Sequence, residues 1–200
     1  MRDYSEYLTP ELLELEERGW AEGFHNRKMA DMVVRLCAEH GLKTVIEMGC
    51  GTGWVPSFLP EQLSYTGVDK NQGCLDRAVA KNGPDRVFVR EDIRGYTGPQ
   101  RDLVCSLSVL KHFRPEEWRE VFLKIMSLGR YACFTMSIGP KIVNDGVAFP
   151  HTYIRREDLE RSLALAGKTL TYEERLTPDV HGYEFLFAAA PVALEGGDVD

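Results

Sequence analysis

The stretch that most limits what this chain can fold into is Val45-Ile46-Glu47-Met48-Gly49-Cys50-Gly51-Thr52-Gly53, an apolar run that ends in an acid and breaks into alternating glycines. Residues 44–48 read as a buried parallel strand, being continuous, β-branched and bounded by Gly41 and Gly49. The glycines then turn the chain toward a helix. Glycine adopts positive φ, and without a Cβ it lets a ligand lie against the backbone. Three glycines in five positions therefore read as a binding loop.

Spacing separates three nucleotide-binding readings of this loop. A phosphate-cradling loop needs G-x-x-x-x-G-K-[ST], and no Lys-Ser or Lys-Thr follows these glycines. A dinucleotide fingerprint needs a small residue where Trp54 stands, and Glu47 would place a carboxylate close to the pyrophosphate. The loop better suits a ligand with positive charge and no phosphate. S-adenosylmethionine, with its sulfonium, ammonium and ribose, meets that description. The second strand supports it: residues 63–69 run into Asp69, 20 positions after Gly49, the distance at which a βαβ unit sets a carboxylate over a ribose.

The ordered motifs Glu47-x-Gly49-x-Gly51-x-Gly53, Asp69, Glu91-Asp92-Ile93 after a third strand, and Asp102-Leu103-Val104-Cys105-Ser106-Leu107-Ser108 followed by Leu110-Lys111-His112-Phe113 resemble those of class I S-adenosylmethionine-dependent methyltransferases. The resemblance runs from about residue 27 to residue 191. It implies a doubly wound, Rossmann-like α/β fold: a mostly parallel seven-stranded sheet with an antiparallel last strand and helices on both faces. It further implies cofactor contacts at Glu47, Gly49, Cys50, Gly51, Asp69, Lys70, Asp92, Ile93 and Ser106. Among these, Asp92 would take the adenine amino group, the Ile93 amide a ring nitrogen, and Ser106 the methionine portion. His112, just past the fourth strand, is the candidate general base, because an imidazole titrates near neutral pH. His25 and His151 are weaker candidates.

Composition sets the outer bounds. Two hundred residues, 44% of them hydrophobic, suffice for one domain. The net charge of −7, with no basic run longer than a pair such as Arg155-Arg156, disfavours nucleic acid or an anionic membrane as the main partner. Cys37, Cys50, Cys74, Cys105 and Cys133 are odd in number and lack C-x-x-C spacing, so they read as buried small hydrophobes in a reducing compartment, with no metal site. No secretory or membrane-spanning segment is evident, and a cytoplasmic protein is expected.

Along the chain, residues 1–26 form an N-terminal helical extension, with a helix over 9–19 and then a loop in which Trp20, Phe24 and His25 are possible lid residues. The methyltransferase domain spans 27–191 and a polar, glycine-rich disordered tail 192–200. Helices are expected over 28–40, from Trp54 to Pro60, over 71–82 with Asn71 as N-cap, from Arg114 to Gly129, and over 156–166. Strands are expected over 86–90, 103–109, 131–137, 169–175 and 183–189. The stretch 139–151 reads as a long irregular loop facing the acceptor.

The substrate is less legible. The Asn/Asp-Pro-Pro-aromatic motif of enzymes methylating nucleobase amino groups or glutamine is absent, and Cys105 lacks the preceding proline of cytosine-C5 enzymes. A small-molecule acceptor, methylated on oxygen or nitrogen, is therefore expected. The alternatives are a protein acceptor, a catalytically silent S-adenosylmethionine-binding partner subunit, or a nicotinamide-dependent oxidoreductase, against which Trp54 argues.

A charge-assisted hydrogen bond contributes roughly 1.5–3 kcal/mol. Calorimetric titration of Asp69→Ala should therefore show S-adenosylmethionine binding weakened on the order of tenfold to a hundredfold. Unchanged affinity would remove Asp69 from the site.

Overall fold

The computed structural model describes residues 24–140, 143–144, 151–179 and 182–192, and Glu14, which is helical. The expected helix over 9–19, apart from Glu14, lies outside the described residues, as do Trp20 and residues 193–200. The elements run α1 (Phe24–His40), β1 (Thr44–Met48), a 3-10 turn (Val55–Phe58), β2 (Ser64–Asp69), α2 (Gln72–Asn82), β3 (Val87–Arg90), β4 (Arg101–Ser106), a second 3-10 turn (Leu110–His112) and α3 (Trp118–Ser127). They continue with β5 (Gly129–Ile138), β6 (Val143–Asn144), β7 (Thr152–Ile154), α4 (Arg156–Leu165), β8 (Lys168–Asp179) and β9 (Gly182–Pro191).

Strands β3, β2, β1, β4 and β5 lie side by side in that order, all parallel. β9 pairs antiparallel with β5, and β8 antiparallel with β9. This is the doubly wound, mostly parallel sheet with a reversed last strand that the resemblance implies. The strand order reverses between β1 and β4, and parallel strands present their carboxyl ends on one edge, so the crevice forms there.

Alternation along the strands divides the core. Ile46, Met48, Val104 and Phe134 face α3 and α4, meeting Trp118, Phe122, Ile125 and Leu159. Val45, Tyr65, Leu103, Cys105 and Cys133 face α1, meeting Met29, Val33 and Leu36. All five cysteines are buried and unpaired with one another, as small hydrophobes are.

Several boundaries move, each for a local reason. α1 begins at Phe24 rather than Lys28, so Phe24 and His25 stand in its first turn and not in a loop. The expected helix after the glycines is a single 3-10 turn: Pro56 occupies its start, and Leu59, before Pro60, is already extended. β4 ends at Ser106 instead of Val109, because Ser108 takes a φ of 58° and a 3-10 turn follows. α3 starts at Trp118; the residues from Arg114 form a turn, with the Trp118 amide on the Arg114 carbonyl. In α2 the N-cap is Asn71, whose Oδ1 accepts the Cys74 amide, and Gly83 closes the helix with φ 74°. Two strands were not expected: β7 pairs parallel with the end of β5, and β6 antiparallel with β7.

The opposite edge of the sheet is pinned by Asp102. Its Oδ2 accepts the Lys43 amide (2.8 Å), the Thr44 amide (2.9 Å) and the Thr44 hydroxyl (2.9 Å), while the Asp102 amide donates to Thr44 Oγ1 at 2.8 Å. These donors favour the carboxylate and lower its pKa. A carboxyl whose pKa falls on folding stabilises the fold above its unfolded pKa and ceases to as pH drops through the folded value. Asp102→Ala is expected to lower the unfolding free energy by roughly 1.5–3 kcal/mol in denaturant titrations at neutral pH. The deficit should shrink in acid, below about pH 4; a deficit independent of pH would contradict this role.

Candidate functional site

The carboxyl ends of β1, β2, β3 and β4 deliver Gly49, Asp69, Glu91-Asp92 and Ser106 to one edge. The loop after β1 is tied to β2 by one carbonyl: Val68 O accepts the amides of both Gly49 (2.8 Å) and Cys50 (3.1 Å). Gly49 has φ 82°, and a Cβ there would stand 2.5 Å from Val109 Cγ2, so the loop and the segment after β4 touch only because no side chain intervenes. Gly51 differs. Its φ is 50°, nothing lies within 4 Å of its would-be Cβ, and its amide donates to Asp69 Oδ2 at 3.0 Å. It leaves bare backbone beside a carboxylate, which is a cradle for a ligand.

Asp69 also accepts the Asn71 amide on Oδ1 at 2.8 Å. Burial pushes its pKa up, against those two amides. Each oxygen takes one amide, and a carboxylate oxygen can accept more than one bond, so both can also receive hydroxyls. Lys70, next to it, lies half-buried, and its carbonyl accepts Arg90 Nε at 3.4 Å. Asp92 lies at the end of the neighbouring strand, 36% exposed at its side chain. Its carboxylate is forked by Arg94, with Nε to Oδ1 at 2.9 Å and Nη2 to Oδ2 at 2.6 Å, which brings its pKa down to about 2. Ile93 is buried in the core, so only its backbone is available at the edge.

Other expected site residues sit differently. Glu47 is 3% exposed and accepts the Tyr65 hydroxyl, on the α1 side of the sheet beneath the loop. Burial raises its carboxyl pKa to about 8, opposed by the Tyr65 bond and assisted by Asp69. Cys50 turns its side chain inward, against Gly67, and offers the edge only its backbone. Ser106 is fully buried, and its hydroxyl donates to Met48 O at 3.1 Å, joining β4 to β1. His112 ends the 3-10 turn, its amide on Val109 O at 2.9 Å. Trp54 packs against Phe58 and under Lys81, whose Nζ is 4.0 Å from the ring centroid. With no α-helix following the loop, no small residue is required there.

Sequence reasoning missed a polar group at the ends of β4 and β5. The left-handed Ser108 donates its amide to Thr135 Oγ1 at 2.7 Å. Lys111 Nζ pairs with both carboxylate oxygens of Glu184, at 3.0 and 3.1 Å, in a largely buried setting. Ser137 Oγ is 2.8 Å from His151 Nε2, and the His151 ring stacks on Tyr153 at 4.7 Å. Ser137 and Glu184 are cross-strand partners, so they share a face. The only available signal was the long segment 139–151. β7, which His151 immediately precedes, pairs with Ser137 and Ile138, beyond the point where β4 stops pairing with β5.

A parallel sheet with this order, a glycine loop after β1 and an acid at the end of β2 define the class I methyltransferase fold. The sequence agrees: residues 45–130 match a family model described as a methyltransferase domain. The match covers less than half of the chain, and the fold is that of S-adenosylmethionine-dependent methyltransferases. Magnesium protoporphyrin IX methyltransferase from Synechocystis PCC 6803, with bound S-adenosylhomocysteine, is similar at a TM-score of 0.73 and 17% identity, over 94% of this chain and 98% of that one. Burkholderia thailandensis 1,6-didemethyltoxoflavin-N1-methyltransferase, with bound 1,6-didemethyltoxoflavin and S-adenosylhomocysteine, gives 0.72 and 16% identity, over 91% and 84%. An amino pentose methyltransferase from Micromonospora echinaspora involved in calicheamicin biosynthesis, with bound S-adenosylmethionine, gives 0.68 and 16%, over 90% and 98%. No curated protein matches the chain. Among the described residues, no helix is long and apolar enough to cross a membrane.

The edge fits this cofactor. It offers bare backbone at Gly51 and the carboxylates of Asp69 and Asp92, acceptors for the donors of a ribose, an amine and a cationic tail and not for a pyrophosphate.

The raised pKa of Glu47 makes a further prediction. A carboxyl that binds its proton more tightly when folded costs stability as pH rises from its unfolded value, near 4.5, toward about 8. Relative to Glu47→Gln, the wild type should lose unfolding free energy across that window, with a slope of at most about 1.4 kcal/mol per pH unit. Chemical denaturation at several pH values checks this, and parallel profiles would contradict it.

Proposed function

We propose that the chain is an S-adenosylmethionine-dependent methyltransferase acting on an oxygen or nitrogen of a small-molecule acceptor, which enters at the carboxyl ends of β4 and β5. The observation that carries this reading is the compact polar group there, formed by Ser108, Lys111, Thr135, Ser137, His151 and Glu184. Such a group suits a small polar molecule held by several hydrogen bonds. The named activities of the similar structures, on a porphyrin, a toxoflavin precursor and an amino pentose, support a small acceptor.

In this reading Gly49, Cys50 and Gly51 hold the cofactor by their backbone, Asp69 takes the ribose hydroxyls with Lys70 beside it, Asp92 takes the adenine amine beside the Ile93 amide, and the Ser106 carbonyl takes the methionine portion. Glu47 acts from beneath, shaping the loop's floor. The cofactor supplies a methyl on a sulfonium, whose departure as a neutral thioether needs no acid. The protein's task is alignment and exclusion of water. The segment carrying Ser108 and Val109, closed against Gly49, is the part of the chain that performs this alignment.

An acceptor hydroxyl or ammonium must lose a proton, and two imidazoles stand at this end. His112 follows β4 directly, and His151 is anchored by Ser137. Replacing each with Gln separates their roles.

Titration with S-adenosylmethionine, S-adenosylhomocysteine and NAD tests the cofactor, and a panel of small alcohols, phenols, amines and carboxylates, with peptides as controls, tests the acceptor by S-adenosylhomocysteine release. Micromolar binding of both adenosyl ligands, none of NAD, and turnover on a small polar acceptor are expected. Turnover on peptides alone would overturn the small-molecule reading.

A further inference from the structure

The Arg94 fork on Asp92 goes beyond any role so far given to either residue. Asp92 lies two residues past Arg90, the last of β3 to pair with β2, and its carbonyl accepts the amides of Gly95 and Tyr96 at 2.9 and 3.1 Å, so the chain turns sharply there. That turn brings Arg94 back over the Asp92 carboxylate. Three donors of one residue then hold it: the Arg94 amide and Nε on Oδ1, both at 2.9 Å, and Nη2 on Oδ2 at 2.6 Å. The third guanidinium nitrogen, Nη1, lies 3.6 Å from Glu117 Oε1, and Glu117 also accepts the Arg114 amide at 3.4 Å. The guanidinium thus joins the turn after β3 to the segment that leads from β4 into α3.

A free aspartate on a turn samples several rotamers, and its carboxylate faces a ligand in only some of them. A planar guanidinium fork allows one orientation of the carboxylate plane; with two donors already on Oδ1, it leaves a lone pair on Oδ2. We infer that Arg94 is a positioning residue for adenine recognition: it fixes the Asp92 carboxylate so that Oδ2 can accept only from a donor on the ligand's ring edge, and it thereby sets selectivity for an exocyclic amine over a carbonyl at that position. The inference rests on the proposed contact between Asp92 and the adenine amino group.

The selectivity has a physical basis. A carboxylate held in place attracts an amine N–H and repels the 6-oxo group of hypoxanthine. One that can swing away does neither well. Lysine at position 94 would keep the charge but lose the fork, so charge and orientation can be separated.

The test is calorimetric titration of S-adenosylhomocysteine and its 6-oxo counterpart, S-inosylhomocysteine, against wild type, Arg94→Ala and Arg94→Lys, with thermal unfolding as a check on folding. Wild type should prefer the adenosyl ligand by at least tenfold. Arg94→Ala should weaken adenosyl binding by about tenfold and inosyl binding little, so that the preference collapses, with Arg94→Lys recovering only part of it. Discrimination equal to wild type in folded Arg94→Ala would overturn the inference, as would equal loss of affinity for both ligands. Wild type that binds both ligands alike would remove Asp92 from adenine recognition and the inference with it. Wild type that binds neither ligand would instead overturn the cofactor site itself.

Discussion

The site depends on the carbonyl of Val68. By accepting the amides of Gly49 and Cys50 at once, it bends the chain after β1 over the end of β2 and sets the Gly51 amide against Asp69. Two parallel strands thereby share one turn, and the acid of the second closes the loop of the first. The left-handed conformations at Gly49 and Gly51 are what this geometry demands, and only glycine takes them without strain. From that junction the rest is laid out by the sheet: β3 brings Asp92 on one side, and β4 brings Ser106 and the Ser108 turn on the other.

Acids dominate this edge, and their surroundings divide them into different kinds. Asp92 is held as a carboxylate by the donors that face it, as Asp102 is at the opposite edge. Asp69 is pulled both ways, by burial toward the neutral form and by two amides toward the anion. Glu47 is buried against a phenol and the Cys105 strand, and favours its proton. A cationic ligand arriving above the loop would therefore meet anions at the rim and a protonatable group below it.

Much of this was legible in the sequence because it is local. Asp69 and Asp92 fall where strands end, Asn71 caps α2 through its own side chain, and a β-branched run before alternating glycines reads as β1. The errors come from interactions that cross the chain or from backbone states that sequence does not announce. Ser108 adopts a positive φ that serine rarely takes, which ends β4 early. Pro56 and Pro60 allow only one 3-10 turn where a helix was expected. Lys111 with Glu184, and Ser137 with His151, are far apart in sequence and meet only because β9 and β7 both dock on β5. Glu47 shows the reverse case, in which the motif is correctly found but alternation along β1 turns its side chain beneath the loop.

The carboxyl edge around Gly51 and Asp69 is expected to hold the adenosyl group of the cofactor. A crystal structure of the protein with S-adenosylhomocysteine tests it most directly. The ribose hydroxyls are expected on Asp69, the ligand against the backbone of Gly49 and Gly51, and the adenine amine on Asp92. Ligand density lying elsewhere, or a ribose with Asp69 out of reach, would contradict it.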